Sequence, residues 1–287
     1  MSEKMRQSYN KIEIEGWVNK KNIEEKNNEG KEFISGTIEI RTSETNIVPI
    51  SLYANKYTKE NKENSVYKGI RTIKNDYIDS TEVETWKEAD KVRLNLGQIR
   101  SHDYVGKDKE IHTNLNYITN FVNRINSDKF EPKSKFACEI IYKGTREETR
   151  NGDETGRGFI DGFIVDYNGK LQPVFFVVGE KMWNKVEDRF EPGETLYIHG
   201  DIVEDVVEKT IEKEVEFGEN EIRVIKISIH ERQVRGIDRV DDEKTYNKKD
   251  IKKALEQRQK DLEDLKNRKL FNSDNDEDNV SDDDLPF

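Results

Sequence analysis

Apolar and polar residues alternate along most of the first 240 residues, with the period of two that half-buried β-strands show. The clearest run contains Ile12, Ile14 and Val18. Further runs have their apolar positions at Ile34, Ile38 and Ile40, at Val48, Ile50 and Leu52, and at Val92, Leu94 and Leu96. A fifth strand is predicted near 111–122, and the polar stretch 56–88 should contain one helix. Five strands with a helix after the third is the order of an OB-fold barrel.

The next hundred residues repeat this plan. Strands are predicted near 136–142, 157–165 and 174–178, then a helix at 181–189 and a turn leading to a strand over 190–202. Setting Trp86 on Phe190 also aligns Val92 with Leu196, which is a weak internal repeat. We therefore predict a mainly β protein with two tandem OB-fold barrels rather than one large sandwich. Trp86 and Trp183 are expected to plug the barrel ends as core residues.

After Asp241 the pattern changes to that of a charged helix. Asn247 is a predicted N-cap, and a narrow apolar stripe follows at Ile251, Leu255, Leu262 and Leu265. We expect this helix to dock on the second barrel, and a dimer-forming coil is the alternative. The predicted division is an N-terminal extension (1–10), a first domain (11–130), a second domain (131–240), the charged helix (241–271) and a disordered acidic tail (272–287).

The net charge of −11 is unevenly distributed. Residues 1–130 have a net charge of +1, whereas residues 131–240 and the tail 272–287 have −7 each. With so little positive charge, binding to a nucleic acid could not depend on phosphate neutralisation alone, and stacking of bases on aromatic side chains would be needed. The chain lacks an apolar stretch long enough for a membrane span or signal peptide, so we expect a cytoplasmic protein. Its lone Cys138 excludes an internal disulfide.

The tail ends in an acidic run and three apolar residues: Asp282, Asp283, Asp284, Leu285, Pro286 and Phe287. This ending resembles the C-terminal tip of bacterial-type single-stranded DNA-binding proteins, which close with an acidic run and Ile/Leu-Pro-Phe. The resemblance implies that the tip recruits helicase, primase, nuclease and recombination mediator, through capture of the Phe ring and carboxylate in a pocket. It covers the tail alone. The two-unit body suggests a phage or mobile-element version, and a merely solubilising tail is the alternative.

Candidate DNA contacts are aromatic and basic residues opposite the apolar strand faces or in the loop 101–110. In the first unit they are Trp17, Phe33, Arg41, Tyr53, Arg93, Arg100, Lys107 and Lys109. In the second they are Phe159, Phe163, Phe175 and Tyr197. Packing under loops or across the barrel seam is the alternative for each. The matching arm of the second unit, 202–221, is strongly acidic and would repel phosphates, so we expect it to mediate self-association or partner binding.

The sequence contains no phosphate-binding loop, no metal-ligand spacing among its histidines and no nucleophile motif. We therefore expect no catalysis and no cofactor. The predicted function is sequence-independent binding of single-stranded DNA in replication, recombination or repair, as a monomer or homodimer. The alternative is an interaction adaptor or replisome loading factor that uses the tip without binding DNA itself.

Overall fold

The computed structural model describes residues 4–28, 30–126, 130–150, 152–186, 189–213 and 221–273. Over these residues the protein is mainly β, as the alternating pattern predicted, and it has the long C-terminal helix that the pattern after Asp241 predicted. The predicted disordered tail and its tip lie outside the described residues.

The first group of strands closes on itself through backbone pairing. Its strands are β1 (Asn10–Asn28), β2 (Lys31–Arg41), β3 (Ile47–Asn55), β4 (Lys91–Asn95), β5 (Gln98–Val105), β6 (Ile111–Ile118) and β7 (Phe121–Arg124). Strand β1 pairs with β2, β2 with β3, and β3 runs parallel to β6, which pairs with β5. Strand β4 pairs with β1 and β7, and an Ile12–Gly97 bridge connects β1 to the residue before β5. Helix α1 (Ser65–Asp76) lies between β3 and β4.

The second group also closes on itself. Its strands are β8 (Lys133–Arg150), β9 (Asp153–Val165), β10 (Leu171–Val178), β11 (Thr195–Lys213) and β12 (Glu221–Arg239). Strand β8 pairs with β9, β9 with β10, and β10 runs parallel to β12. Strand β12 pairs with β11, and β11 pairs with β8. Helix α2 (Glu180–Val186) lies between β10 and β11, close to the predicted 181–189. We call the two groups the first and second rings.

The two rings share one continuous sheet. Residues Asn10 to Glu15 of β1 pair with Cys138 to Lys133 of β8. A second junction involves Asn46, which donates a hydrogen bond to the carbonyl of Ile202 (3.1 Å) and accepts one from the backbone of Glu204 (2.8 Å). Backbone pairing together with side-chain bonding therefore sets the orientation of one ring against the other.

The predicted inward positions form the core. The β-branched residues of the alternating runs, which suit a pleated half-buried surface, are all but inaccessible in β1, β2 and β3. Trp183 is buried as predicted, but Trp86 is half-buried and lies outside the core cluster. The prediction was also wrong for Leu96, whose side chain is 75% exposed because the strand ends at Asn95 and turns.

Three segments differ from the predicted element bounds. The first half of the expected loop 101–110 is strand, since β5 continues to Val105 before the turn. The expected strand at 111–122 is divided between β6 and β7. The acidic arm forms a ribbon in which β11 and β12 remain paired as far as Lys213 and Glu221. The element order of an OB-fold predicted a loop at 101–110 and a matching arm at 202–221, whereas backbone pairing extends the strands into both.

The C-terminal helix α3 (Lys248–Ser273) begins where predicted, with the Asn247 side chain accepting a hydrogen bond from the backbone of Lys249 (2.8 Å). Ile251 is buried in a small cluster of second-ring residues. The helix also reaches the first ring, because Arg258 pairs with Asp103 (2.8 Å) while donating to the carbonyl of Leu171 (3.0 Å). It therefore docks on both rings and not on the second alone.

Candidate nucleic-acid interface

A cleft of about 440 Å³ opens between β3, β5 and β6 of the first ring. We call it the Tyr53 cleft; its principal lining residues are Tyr53, Arg100, His102, Asn116, Thr119 and Gln172. Five of them are on first-ring strands or the turn after β6, and Gln172 is contributed by β10 of the second ring. The cleft therefore combines an aromatic ring, a guanidinium and several neutral hydrogen-bonding groups.

Tyr53 is directed outward because β3 alternates buried and solvent-facing positions along its length. Its side chain is 47% exposed, and its hydroxyl donates to the Asn55 side chain at 2.8 Å. The ring of Phe33 lies beside it, with centroids 5.7 Å apart and planes tilted by 37°. Directly opposite Tyr53 on β2, the hydroxyl of Ser35 is buried and has no hydrogen-bond partner among the described residues. Two aromatic rings on an outward strand face can stack on a flat ligand.

Three cations lie on β5 or in the turn that follows it, and of these Arg100 lines the cleft. Arg100 is exposed, and so are Lys107 and Lys109 in the turn after β5. None of the three forms a salt bridge with any residue that the structure describes. The same turn carries Asp108, whose pKa is lowered by a hydrogen bond from His112 and by one from the backbone of Glu110. The turn is therefore mixed in charge rather than strongly positive.

Trp17, also a predicted contact, belongs to a separate arrangement that we call the Trp17 cluster (Trp17, Trp86 and Phe130), and the predicted contact Arg41 lies against it. The Trp17 ring meets Trp86 and Phe130 edge-on, at 4.8 and 4.6 Å, and its Nε1 donates to the carbonyl of Lys87 (3.1 Å). The Arg41 guanidinium lies 5.4 Å from the Trp86 ring and donates to the Asn19 side chain (2.8 Å). Trp17 is therefore enclosed by neighbouring segments, and its indole side chain is less exposed than the side chain of Tyr53.

Arg93 is also held by a protein partner. It pairs at 2.7 Å with Glu15, whose side chain is only 1% exposed. Burial raises the pKa of Glu15, but hydrogen bonds from Arg93 and from the backbone of Glu131 outweigh it, so the pKa lies below its usual value. Because Arg93 neutralises a buried carboxylate, it is not free to neutralise a phosphate.

The second ring has an aromatic pair on the corresponding strands. Phe159 of β9 and Phe175 of β10 have ring centroids 6.2 Å apart. Arg146 lies 3.9 Å from the Phe159 ring, and Arg232 lies 4.6 Å from the Phe175 ring. In the second ring, arginine side chains therefore lie over the aromatic rings, whereas in the first ring the corresponding Tyr53 ring is exposed to a base.

The other two second-ring candidates are not part of this pair. Phe163 packs against the cluster that contains Ile251 of α3, so the helix limits access to it. Tyr197 lies 6.0 Å from Tyr9, beside a different cleft that also contains Lys11. The structure thus brings Phe33, Tyr53 and Arg100 together and leaves the other predicted contacts dispersed.

Sequence reasoning missed His102, Asn116, Thr119 and Gln172 as lining residues. The alternation of β6 could have placed Asn116 outward, next to Tyr117 inward. No local signal could have found Gln172, since it reaches the cleft only through the contact between rings.

The described residues contain no group of three or more His, Cys, Asp or Glu side chains positioned to hold a metal ion. Within the same residues, no helix is both long and apolar enough to cross a membrane.

The protein is mainly β and is built from two strand rings joined edge to edge, with the Tyr53 cleft on the first ring. Residues 8–268 match the model of the YorF family, and the chain belongs to that family. No curated protein matches the sequence. Two solved structures of the single-stranded DNA-binding protein from Thermus aquaticus are among those to which the chain is similar. The wild-type protein has a TM-score of 0.48 at 6% identity, covering 82% of this chain and 95% of that one. A deletion mutant has a TM-score of 0.46 at 8% identity, with 82% and 96% covered.

Proposed function

We propose that this protein binds single-stranded DNA without sequence specificity, in replication, recombination or repair. The observation that carries the proposal is the Tyr53 cleft. An exposed tyrosine, a neighbouring phenylalanine and an arginine with no salt bridge among the described residues lie on one outward strand face. Bases of any identity can stack on such rings, while Arg100 meets a phosphate.

We also propose that each ring is an OB-fold barrel, with domains spanning 11–130 and 131–240. The support is the pairing order: β3 runs parallel to β6 in the first ring, β10 runs parallel to β12 in the second, and in each ring a helix follows the third strand. OB-folds bind oligonucleotides on the face of their second and third strands. Phe33 and Tyr53 occupy those strands in the first ring, and Phe159 and Phe175 do so in the second.

The first ring is proposed to make most of the DNA contact. Arginine side chains cover the aromatic pair of the second ring, and its long ribbon includes Glu204, Asp205 and Glu208. Such a ribbon suits self-association or a protein partner better than phosphates. The division predicts that Phe33→Ala or Tyr53→Ala weakens DNA binding more than Phe159→Ala or Phe175→Ala. Equal losses from both pairs would contradict it.

The central test is a fluorescence titration of the full chain with oligo-dT at two salt concentrations. Binding with quenching of tryptophan emission supports the proposed function, and no binding at low salt rejects it. Duplex DNA of the same length is the matched control, because its bases cannot unstack onto Tyr53 without breaking pairs. Preference for the duplex would also reject the proposal.

Through its resemblance, the tail supports recruitment of partner enzymes as a second part of the proposed function. Deleting residues 282–287 should abolish recruitment of a helicase, primase, nuclease or recombination mediator. DNA affinity should remain unchanged or rise, because the removed acidic charge competes with phosphates for basic sites. A clear fall in DNA affinity would show that the tail takes part in binding DNA.

The alternative function is an adaptor or loading factor that uses the tip without holding DNA. The observation that favours it is the near-zero net charge of residues 1–130 together with the acidic second domain. The same titration separates the two functions, since an adaptor would capture partner enzymes through its tail yet leave oligo-dT unbound.

A further inference from the structure

Two large apolar side chains are exposed at one corner of the first ring. Leu96, between β4 and β5, is 75% exposed, and Phe121, at the start of β7, is 39% exposed. They belong to the same corner because Asn95, the neighbour of Leu96, pairs with Phe121. Leu96 also has a φ of 56°, a left-handed backbone conformation that is rare for a bulky residue. We call this pair the Leu96 corner.

The backbone around the Leu96 corner is held from two sides. On the inner side Gly97 packs against β1, where a Cβ at Gly97 would lie 2.5 Å from Cγ1 of Ile12. On the other side the buried Thr119 hydroxyl donates to the carbonyl of Asn95 (2.6 Å) and accepts from the backbone of Phe121 (3.2 Å). The unfavourable conformation of Leu96 is therefore imposed by its surroundings, and it keeps the side chain pointing away from the core.

The corner continues the Tyr53 cleft. Thr119 and Asn120, which immediately precede Phe121, line that cleft. Ile118, at the end of β6, lies opposite Ser51, which is two residues before Tyr53. Phe121 comes three residues after Ile118, so it lies close to the Tyr53 end of the cleft. Strand spacing and rise put Tyr53 and Phe121 on the order of 10 Å apart. A ligand lying along the cleft would meet the corner next.

Local charge indicates which ligand the corner suits. Residues 91–102 and 111–126 contain no Asp or Glu, and they contain Lys91, Arg93, Arg100 and Arg124. Glu15 pairs with Arg93 and Asp90 with Arg124, while Arg100 has no salt bridge among the described residues. An apolar corner whose own two segments carry no acid matches a polyanion with flat apolar groups better than a basic peptide.

We propose that Leu96 and Phe121 form a further base-contact position at the end of the Tyr53 cleft, an inference that rests on the proposed single-stranded DNA binding. A base leaving the cleft stacks on Phe121, and Leu96 packs against it. The bound DNA strand then runs from Tyr53 past Thr119 to the edge of β4.

Leu96→Gly and Phe121→Ala test this position by anisotropy with labelled oligo-dT of increasing length. Glycine adopts positive φ without steric cost, so Leu96→Gly keeps or raises the melting temperature while removing the side chain. We expect Phe121→Ala to weaken binding about fivefold or more and Leu96→Gly about threefold or more. Leu96→Asn, which also tolerates this backbone conformation, should behave like the glycine variant.

The loss should appear for long oligonucleotides and disappear for those just long enough to fill the Tyr53 cleft. Matched controls are Tyr57→Ala and Ile78→Ala, which remove side chains that are 47% and 43% exposed elsewhere on the surface. If the folded Leu96 and Phe121 variants bind every oligonucleotide as the wild type does, the inference is overturned and the proposed function stands. A change in oligomeric mass with unchanged DNA binding would also overturn it, and would assign the corner to a second copy of the chain. Failure of the wild type to bind oligo-dT would instead reject the proposed function.

Discussion

Replacing Tyr53 by alanine is the most direct test of stacking in the cleft. The tyrosine ring is 47% exposed and touches Phe33 on one side, so a base can cover the rest of its surface. Stacking of a base on an aromatic side chain contributes about 1–3 kcal/mol. At about 1.4 kcal/mol per tenfold change, Tyr53→Ala should weaken oligo-dT binding by about 5- to 150-fold.

The folded state should be little affected, because an exposed substitution of this kind usually changes stability by about 0.5 kcal/mol or less. Tyr53→Phe removes only the hydroxyl that donates to Asn55, so it should retain most of the affinity. Tyr57→Ala is the matched control, since Tyr57 has the same 47% exposure but lies outside the cleft. Affinity would be measured by titration at constant salt, with circular dichroism as the check on folding. Equal affinities for Tyr53→Ala and Tyr57→Ala would refute the stacking argument.

Further predictions concern charge, pH and backbone strain. Arg100→Gln should reduce the slope of log affinity against log salt by about 0.7, the contribution of one phosphate contact to a single strand; an unchanged slope would exclude that contact. Glu15→Gln should lower the free energy of unfolding near pH 7 by about 1–3 kcal/mol, because the charge-assisted hydrogen bond from Arg93 to the buried carboxylate is lost. Since the folded pKa of Glu15 is lowered, its contribution is present above the unfolded pKa of about 4.3. The difference from the wild type should therefore vanish as the pH falls through the folded value, and urea denaturation that shows the same difference at low and neutral pH would contradict this. Gly36→Ala should cost about 1–3 kcal/mol, because Gly36 has a φ of 153° and a Cβ there would collide with the carbonyl of Asn22; an unchanged urea midpoint would argue against that strain.

The sequence predicted the strands well because one physical signal, alternation, is local. Ile34, Ile38 and Ile40 had to face the core whatever the tertiary structure. Alternation failed at Leu96, where the apolar residue continues the pattern but the chain turns. That turn depends on Gly97 packing against Ile12, a contact between residues distant in sequence.

The candidate site was predicted in part for the same reason. The outward positions of Phe33 and Tyr53 follow from strand parity, but parity does not say what covers a residue. Trp17 has the same outward parity, yet Trp86 and Phe130 enclose it. Covering of this kind comes from segments far along the chain, so single-sequence patterns could not separate the two aromatic residues.

The charge distribution and the geometry together imply binding that depends weakly on salt. Arg100 lines the Tyr53 cleft, and Lys107 and Lys109 lie in the turn beyond the far end of β5. None of the three forms a salt bridge within the part of the chain that the structure describes. Three phosphate contacts on a single strand give a slope of about −2 for log affinity against log salt. A fourfold rise in salt should then cost only about 16-fold in affinity. A slope steeper than about −5 would mean that phosphate contacts carry the binding, and the aromatic face of β2 and β3 would no longer explain it.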